Sequence, residues 1–276
     1  MIAEQSLPLA GVGNARQLGG YQIGDRRIKD GVLLRTASLD HITPEALEAL
    51  RDRYRVQAVI DLRMSVEHRL LPDRAIPGAQ NLHLPVIEME DMPERAAPIL
   101  AEMLTNPGRS RIDMFEAVYE SGYINDQLYV GFLLGNRGIA AFRAFFDALL
   151  NADEDRAILW HCTDGKDRTG CAAMLLLSAL GADRETVMRD YLLTNTCNAA
   201  LLDEIRQRAA PLGMPPHKLN ALLVMTGGVD AAYMRNAIHA LDRKFGGVPR
   251  YLSDALGVGR REIELLRSKY LTALPK

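Results

Sequence analysis

The sequence predicts an α/β fold in which a small, mostly parallel central sheet is flanked by helices. Three observations carry that reading. The apolar runs Ala58-Val59-Ile60 and Ala157-Ile158-Leu159-Trp160 have the length and unbroken hydrophobicity of strands buried on both faces. Helical patterns flank these runs, and such alternation places helices over a parallel sheet. From about residue 169 onward the pattern is almost entirely helical. At 276 residues the chain reads as a single domain over 1–276, with a helical insertion at 86–135.

Residues 1–40 are rich in turns: the Gly pair in Asn14-Ala15-Arg16-Gln17-Leu18-Gly19-Gly20-Tyr21, then Gly24-Asp25 and Asp30-Gly31. Short strands fit around 21–23 and 32–35, as a β-hairpin capping one end of the sheet. Thr43-Pro44-Glu45 opens the first helix, with Thr as N-cap, Pro at the first helical position and Glu at the positive end of the dipole. Strands follow at 57–62 and 80–84, the second ended by Pro85. In 86–135, Met89, Met92, Met103 and Met114 join Tyr119, Tyr123 and Tyr129, while Pro93, Pro98 and Pro107 interrupt. This region reads as helices with a loop, either an adaptable lid or ordinary Met core filler. Asn136 to Leu150 is an amphipathic helix with Phe142, Phe145 and Phe146 on its apolar side. Further helices are expected at about 169–180, ended by Gly181, and at 183–195, 198–210, 217–224, 230–245 and 260–271. Gly227-Gly228 marks a turn between two of them.

The bulk numbers are those of a soluble globular chain: 48% hydrophobic, 25% charged and a formal charge of −2. That balance argues against nucleic-acid or anionic-membrane partners. Three cysteines are too few for a disulfide scaffold and suit a reducing cytoplasm. The N-terminus, with Glu4 and no apolar h-region, does not resemble a cleaved secretory signal, although export by another route stays compatible.

The chemistry concentrates in His161-Cys162-Thr163-Asp164-Gly165-Lys166-Asp167-Arg168-Thr169-Gly170. A strand, a Gly-bearing turn and a helix N-terminus in succession build an anion site. Inward backbone N–H groups and the helix dipole would favour the thiolate of Cys162, which is a strong nucleophile. Thr163, Asp164, Gly165, Lys166, Asp167, Arg168 and Thr169 would wrap a phosphate, with the Arg168 fork on two of its oxygens. Thr169 could hydrogen-bond the sulfur and help release it from a phosphorylated intermediate.

The spacing His-Cys-(five residues)-Arg-Thr resembles the cysteine-dependent protein tyrosine phosphatases, matched here at His161, Cys162, Arg168 and Thr169. The fuller loop is similar to that of the bacterial tyrosine/lipid phosphatase branch. So are Asn14 to Tyr21 (Asn-Phe-Arg-Asp-Leu-Gly-Gly-Tyr in the branch), Leu34 to Leu39, Asp61-Leu62-Arg63, Gly227 to Met234 and Tyr251 to Gly257. Ala15 and Gln17 depart from the branch, and the missing Asp at 17 puts one support of the loop in question. The resemblance implies attack of Cys162 on phosphorus, a phosphocysteine and then its hydrolysis. It implies phosphotyrosine substrates, with phosphoserine/threonine or phosphoinositides as extensions, and no cofactor. Cys-x-Asp-Gly-x-Asp-Arg-Thr also resembles the loop of the myotubularin lipid phosphatases.

Departure of the leaving oxygen requires an acid. Asp61 is the first choice, at the C-terminal end of a central strand and matching the branch's Asp-Leu-Arg; Asp167 and Asp126 are the alternatives. Asp164 sets a like charge beside the phosphate and is expected to point outward. Arg63 reads as a phosphate ligand or a surface ion pair. His41, His68, His83, His217 and His239 show no metal-ligand spacing, and Cys171 reads as a core residue. Two competing functions are a silent phosphate-binding module and rhodanese-like sulfur transfer.

Overall fold

The computed structural model of the chain describes residues 5–106 and 111–274. Its strands are β1 (Arg16–Gln17), β2 (Gln22–Ile23), β3 (Arg26–Ile28), β4 (Leu33–Thr36), β5 (Ala58–Asp61), β6 (Gln80–His83), β7 (Ile158–His161) and β8 (Leu271–Ala273). The main sheet runs β1-β4-β7-β5-β6. In it β4, β7, β5 and β6 are parallel, and β1 is antiparallel to β4 at one edge.

Strand alternation explains the two-sided core. Leu33, Ala58, Ile60, Ile158 and Trp160 point to one face, which is covered by the helices of the second half of the chain. Leu34, Val59 and Leu159 point to the other, against Leu39, Ile42 and Leu50. With both faces covered, β5 and β7 are apolar up to the Asp61 and His161 at their C-terminal ends.

Helices α1 (Pro44–Glu48) and α2 (Ser65–Leu70) flank β5, with a π-type turn over Ala49–Arg53 between α1 and the strand. Thr43 caps α1 as its residue type predicts: its Oγ1 accepts from the Ala46 N–H at 3.3 Å. Three helices occupy the predicted insertion: α3 (Ala96–Thr105), α4 (Phe115–Glu120) and α5 (Leu128–Leu134). Then come α6 (Asn136–Asn151), α7 (Asp167–Leu180), α8 (Arg184–Cys197), α9 (Ala199–Ala209), α10 (Pro216–Thr226), α11 (Ala231–Phe245), α12 (Val248–Asp254) and α13 (Arg260–Tyr270). Gly181 ends α7 at φ +103°, the left-handed cap expected of it. No helix among the described residues is long and apolar enough to cross a membrane.

Several elements depart from expectation. The expected hairpin of 21–23 with 32–35 does not form: Leu33–Thr36 is an inner strand of the main sheet, and β2 pairs instead with β3, which joins β8 in a separate three-stranded sheet. Arg26-Arg27-Ile28 and Leu271-Thr272-Ala273 carry too little local apolar signal to announce that long-range pairing. Pro98 does not break a helix. It lies in the first turn of α3, where its missing N–H has no intrahelical acceptor to lose. Pro107 lies outside the described residues. The short, mixed helix α2 was not anticipated, and it carries a site residue.

Candidate active site

Strand β7 delivers His161 to the C-terminal edge of the sheet, and α7 starts at Asp167. Cys162 begins the loop between them and is 1% exposed. Three loop carbonyls are held from outside. Ser38 N–H donates to Thr163 O at 3.1 Å. Asn14 Nδ2 donates to Asp164 O at 3.3 Å and to Gly165 O at 2.8 Å, and Arg35 Nη2 donates to Gly165 O at 3.0 Å. In a trans peptide the C=O and the following N–H point in opposite directions. Drawing these carbonyls outward therefore turns the N–H groups of Asp164, Gly165 and Lys166 into the loop. Gly165 allows this at φ +64°; a Cβ there would lie 2.3 Å from Thr36 O.

A buried brace backs the loop. Arg35 Nη1 donates to Asp190 Oδ2 at 2.5 Å, and Arg16 Nε donates to Asp190 Oδ1 at 3.3 Å. Arg16 also donates to Asn14 Oδ1, fixing the amide that grips the loop. Burial, then the neighbouring Arg16, pulls the Arg35 guanidinium down to about 10, against the opposing pull of Asp190. Gln17, whose departure from the family pattern put loop support in question, is occupied elsewhere: its Oε1 accepts from Gly31 N–H at 2.6 Å. Asn14, Arg16 and Arg35 do the bracing.

Above the loop lies a cleft of about 130 Å³, lined by Thr163, Asp164, Lys166, Asp167 and Arg168 on one side. Its apolar walls include Leu100 and Met103 from α3, Val118 from α4, and Leu128 and Phe132 from α5. The predicted insertion thus faces the loop. Charges on the rim are paired. Glu67 of α2 accepts from Arg168 Nη1 at 2.5 Å and Nη2 at 3.1 Å, and from the Thr163 hydroxyl. Lys166 Nζ lies 2.9 Å from Asp167 Oδ2 and donates to Val224 O at 2.6 Å. Asp167 Oδ1 accepts from Tyr129 Oη at 2.5 Å. Asp164 does not point outward. It accepts from Arg111 Nη1 at 2.7 Å and Nη2 at 2.9 Å within the cleft. Thr169 Oγ1 is buried and has no hydrogen-bond partner among the described residues, so it is available to the sulfur.

Asp61 is not brought to this cleft. Arg63 donates to its Oδ1 at 2.9 Å and its Oδ2 at 2.8 Å, and His68 Nδ1 lies 2.9 Å from Oδ2. Burial would raise the Asp61 carboxyl, but His161 and Arg63 hold it far below the usual carboxylate range. A carboxyl held ionised in this way is unsuited to donate a proton. Arg63 is a buried bridge between Asp61 and Asp73, neither a surface pair nor a phosphate ligand. Asp126 is exposed and tied to Asn236 at 2.7 Å.

His161 is fully buried, with Nδ1 3.2 Å from Cys162 O and Nε2 3.2 Å from Asp73 Oδ2. Burial would lower its basicity, yet Asp73 and Asp61 outweigh burial and raise it. The fold also gathers Asp61, His68 and His83 with ligand-type atoms within 4.8 Å of one another, a grouping that spacing alone does not show. Arg63 already neutralises that carboxylate, and its guanidinium would repel a cation there.

A parallel sheet that ends in Cys162, a loop with inward N–H groups and an arginine at the following helix N-terminus define the class of Cys-x5-Arg phosphate-loop proteins. The family model described as the tyrosine phosphatase family matches residues 7–272. A Cupriavidus necator protein named as a tyrosine-protein phosphatase is 32% identical over 269 residues, covering 94% of this chain and 86% of that protein. The Mycobacterium tuberculosis protein named triple specificity protein phosphatase PtpB is 28% identical over 263 residues, covering 88% of this chain and 92% of that one. The chain belongs to the tyrosine phosphatase family.

Proposed function

We propose that this protein hydrolyses phosphomonoesters through a phosphocysteine intermediate, acting on phosphotyrosine and, by extension, on phosphoserine/threonine or phosphoinositides. One observation carries the reading: Cys162 begins a loop whose carbonyls are pulled outward and whose Arg168 is oriented by Glu67. Arginine has five N–H donors, so Glu67 can orient Arg168 while others face phosphate oxygens.

In the proposed mechanism the Cys162 thiolate attacks phosphorus and the bond to the ester oxygen breaks. Asp167, which lines the cleft, gives the departing oxygen its proton. As carboxylate it then takes a proton from the water that attacks the phosphocysteine. Inorganic phosphate leaves and the thiolate returns, assisted by the Thr169 hydroxyl. The α3–α5 segment acts as a lid whose apolar wall receives the body of the substrate. The relative named for triple specificity supports a range wider than phosphotyrosine. Three free cysteines support a reducing, cytoplasmic setting.

The test compares wild type and Cys162→Ser on p-nitrophenyl phosphate. Turnover by wild type and its loss in the Ser variant are expected. Full activity in the Ser variant would end the phosphocysteine mechanism.

A further inference from the structure

We infer that Asp164 is a specificity-determining residue of the phosphate loop: by occupying both Nη atoms of Arg111, it withholds that cation from a second anionic group on the substrate. This rests on the phosphatase reading and narrows its substrate class to monophosphates on an apolar body.

A carboxylate two residues from the nucleophile should repel a phosphate dianion. Its presence is tolerable because Arg111, carried in ahead of α4, pairs with it at 2.7 and 2.9 Å. Burial would raise the Asp164 carboxyl, but Arg111 first, then Lys166 and Arg168, hold it low, so the pair is ionic. Apart from Asp164, Arg111 reaches the carbonyls of Met225 and Thr226 at 3.4 Å, long for hydrogen bonds. The pair is part of no sealed core: the side chains of Arg111 and Asp164 are 35% and 27% exposed, and both line the cleft. A substrate in the cleft would therefore meet a neutralised pair. Without Asp164 it would meet a free guanidinium beside the phosphate seat. The walls, from Leu100 to Phe132, offer contact to a ring or chain.

The test uses the full chain as wild type, Asp164→Asn, Arg111→Gln and the double variant. Each is assayed on phenyl phosphate and on catechol bisphosphate, which differ by one vicinal phosphate. Asp164→Asn should lower KM for the bisphosphate relative to phenyl phosphate by about fivefold, the upper range for a part-exposed ion pair. The double variant should lose that preference. Arg111→Gln alone should raise KM for phenyl phosphate by about fivefold, because Asp164 then faces the phosphate unneutralised. Equal treatment of the two substrates by Asp164→Asn, or a preference that survives in the double variant, overturns the proposal. Should Asp164→Asn fail to fold, Arg111→Gln decides alone: a wild-type KM for phenyl phosphate overturns it. Wild type inactive on phenyl phosphate would instead sink the phosphatase reading itself.

Discussion

Asp61 and Asp167 are both carboxylates near the loop, yet only Asp167 lines the cleft. Asp61 is enclosed by Arg63, His68 and His161, of which His161 and Arg63 hold its charge. Asp167 faces the cleft with Tyr129 on one oxygen and Lys166 on the other. Asp167→Asn is therefore expected to lower kcat and to harm phenyl phosphate more than p-nitrophenyl phosphate, whose leaving group needs less protonation. Asp61→Asn should leave the ratio of the two substrates unchanged but cost about 3–5 kcal/mol of stability by breaking a buried ion pair, read from denaturant unfolding. A selective loss on phenyl phosphate in Asp61→Asn would reverse the assignment. The signs of the pH dependence follow. Asp61 and Asp73 are depressed, so their contribution is present above the ordinary carboxylate range and lost as pH falls through the folded values. His161 is raised, so its contribution is complete below its ordinary 6.5 and lost as pH rises through the folded value. Asp73→Asn should flatten the alkaline side of a Tm-against-pH curve, and an unchanged curve would remove Asp73 as the cause.

At the scale of elements, the loop is shaped by the segment from Asn14 to Ser38. Gly165→Ala would drive a Cβ into Thr36 O and demand φ +64° of an L side chain. It should abolish turnover while far-ultraviolet circular dichroism stays native. Asn14→Ala leaves the Asp164 carbonyl short of its donor and weakens the hold on Gly165, an expected loss of about 1–3 kcal/mol with a rise in KM. A variant with wild-type KM would show that Arg35 and Ser38 hold the loop unaided. These contrasts explain what was legible. The β7-loop-α7 unit is local, since Cys162, Gly165 and Arg168 fall within seven consecutive residues and its flanks carry strand and helix patterns. Gly181 and Thr43 were readable for the same reason. Glu67 on Arg168, Arg111 on Asp164 and Asp190 on Arg16 join positions 101, 53 and 174 residues apart. No periodicity reports such partners. Asp164 looked like an isolated like charge because its counter-charge lies in a different element, and Asp61 looked available because only the fold shows Arg63 and His68 closing over it.

At the scale of the whole molecule, the cleft is a composite. The loop between β7 and α7 supplies one side, α2 its glutamate, and α3 to α5 its apolar wall. The core beneath is continuous: Trp160 is fully buried and packs edge-on against Phe145 at 5.6 Å. Trp160→Ala should cost about 3–5 kcal/mol, measured by chemical unfolding. The outward-held carbonyls of Thr163, Asp164 and Gly165 carry one more consequence, in the order of events as the chain folds. Their donors come from the first forty residues, while Asp190, which fixes Arg16 and Arg35, arrives more than a hundred residues later. Contacts of such long sequence separation form slowly because they close large loops. Local helices can form before the loop is braced, so on refolding from denaturant helical signal should return ahead of turnover. Simultaneous recovery of the two would mean that the loop takes shape without its distant supports.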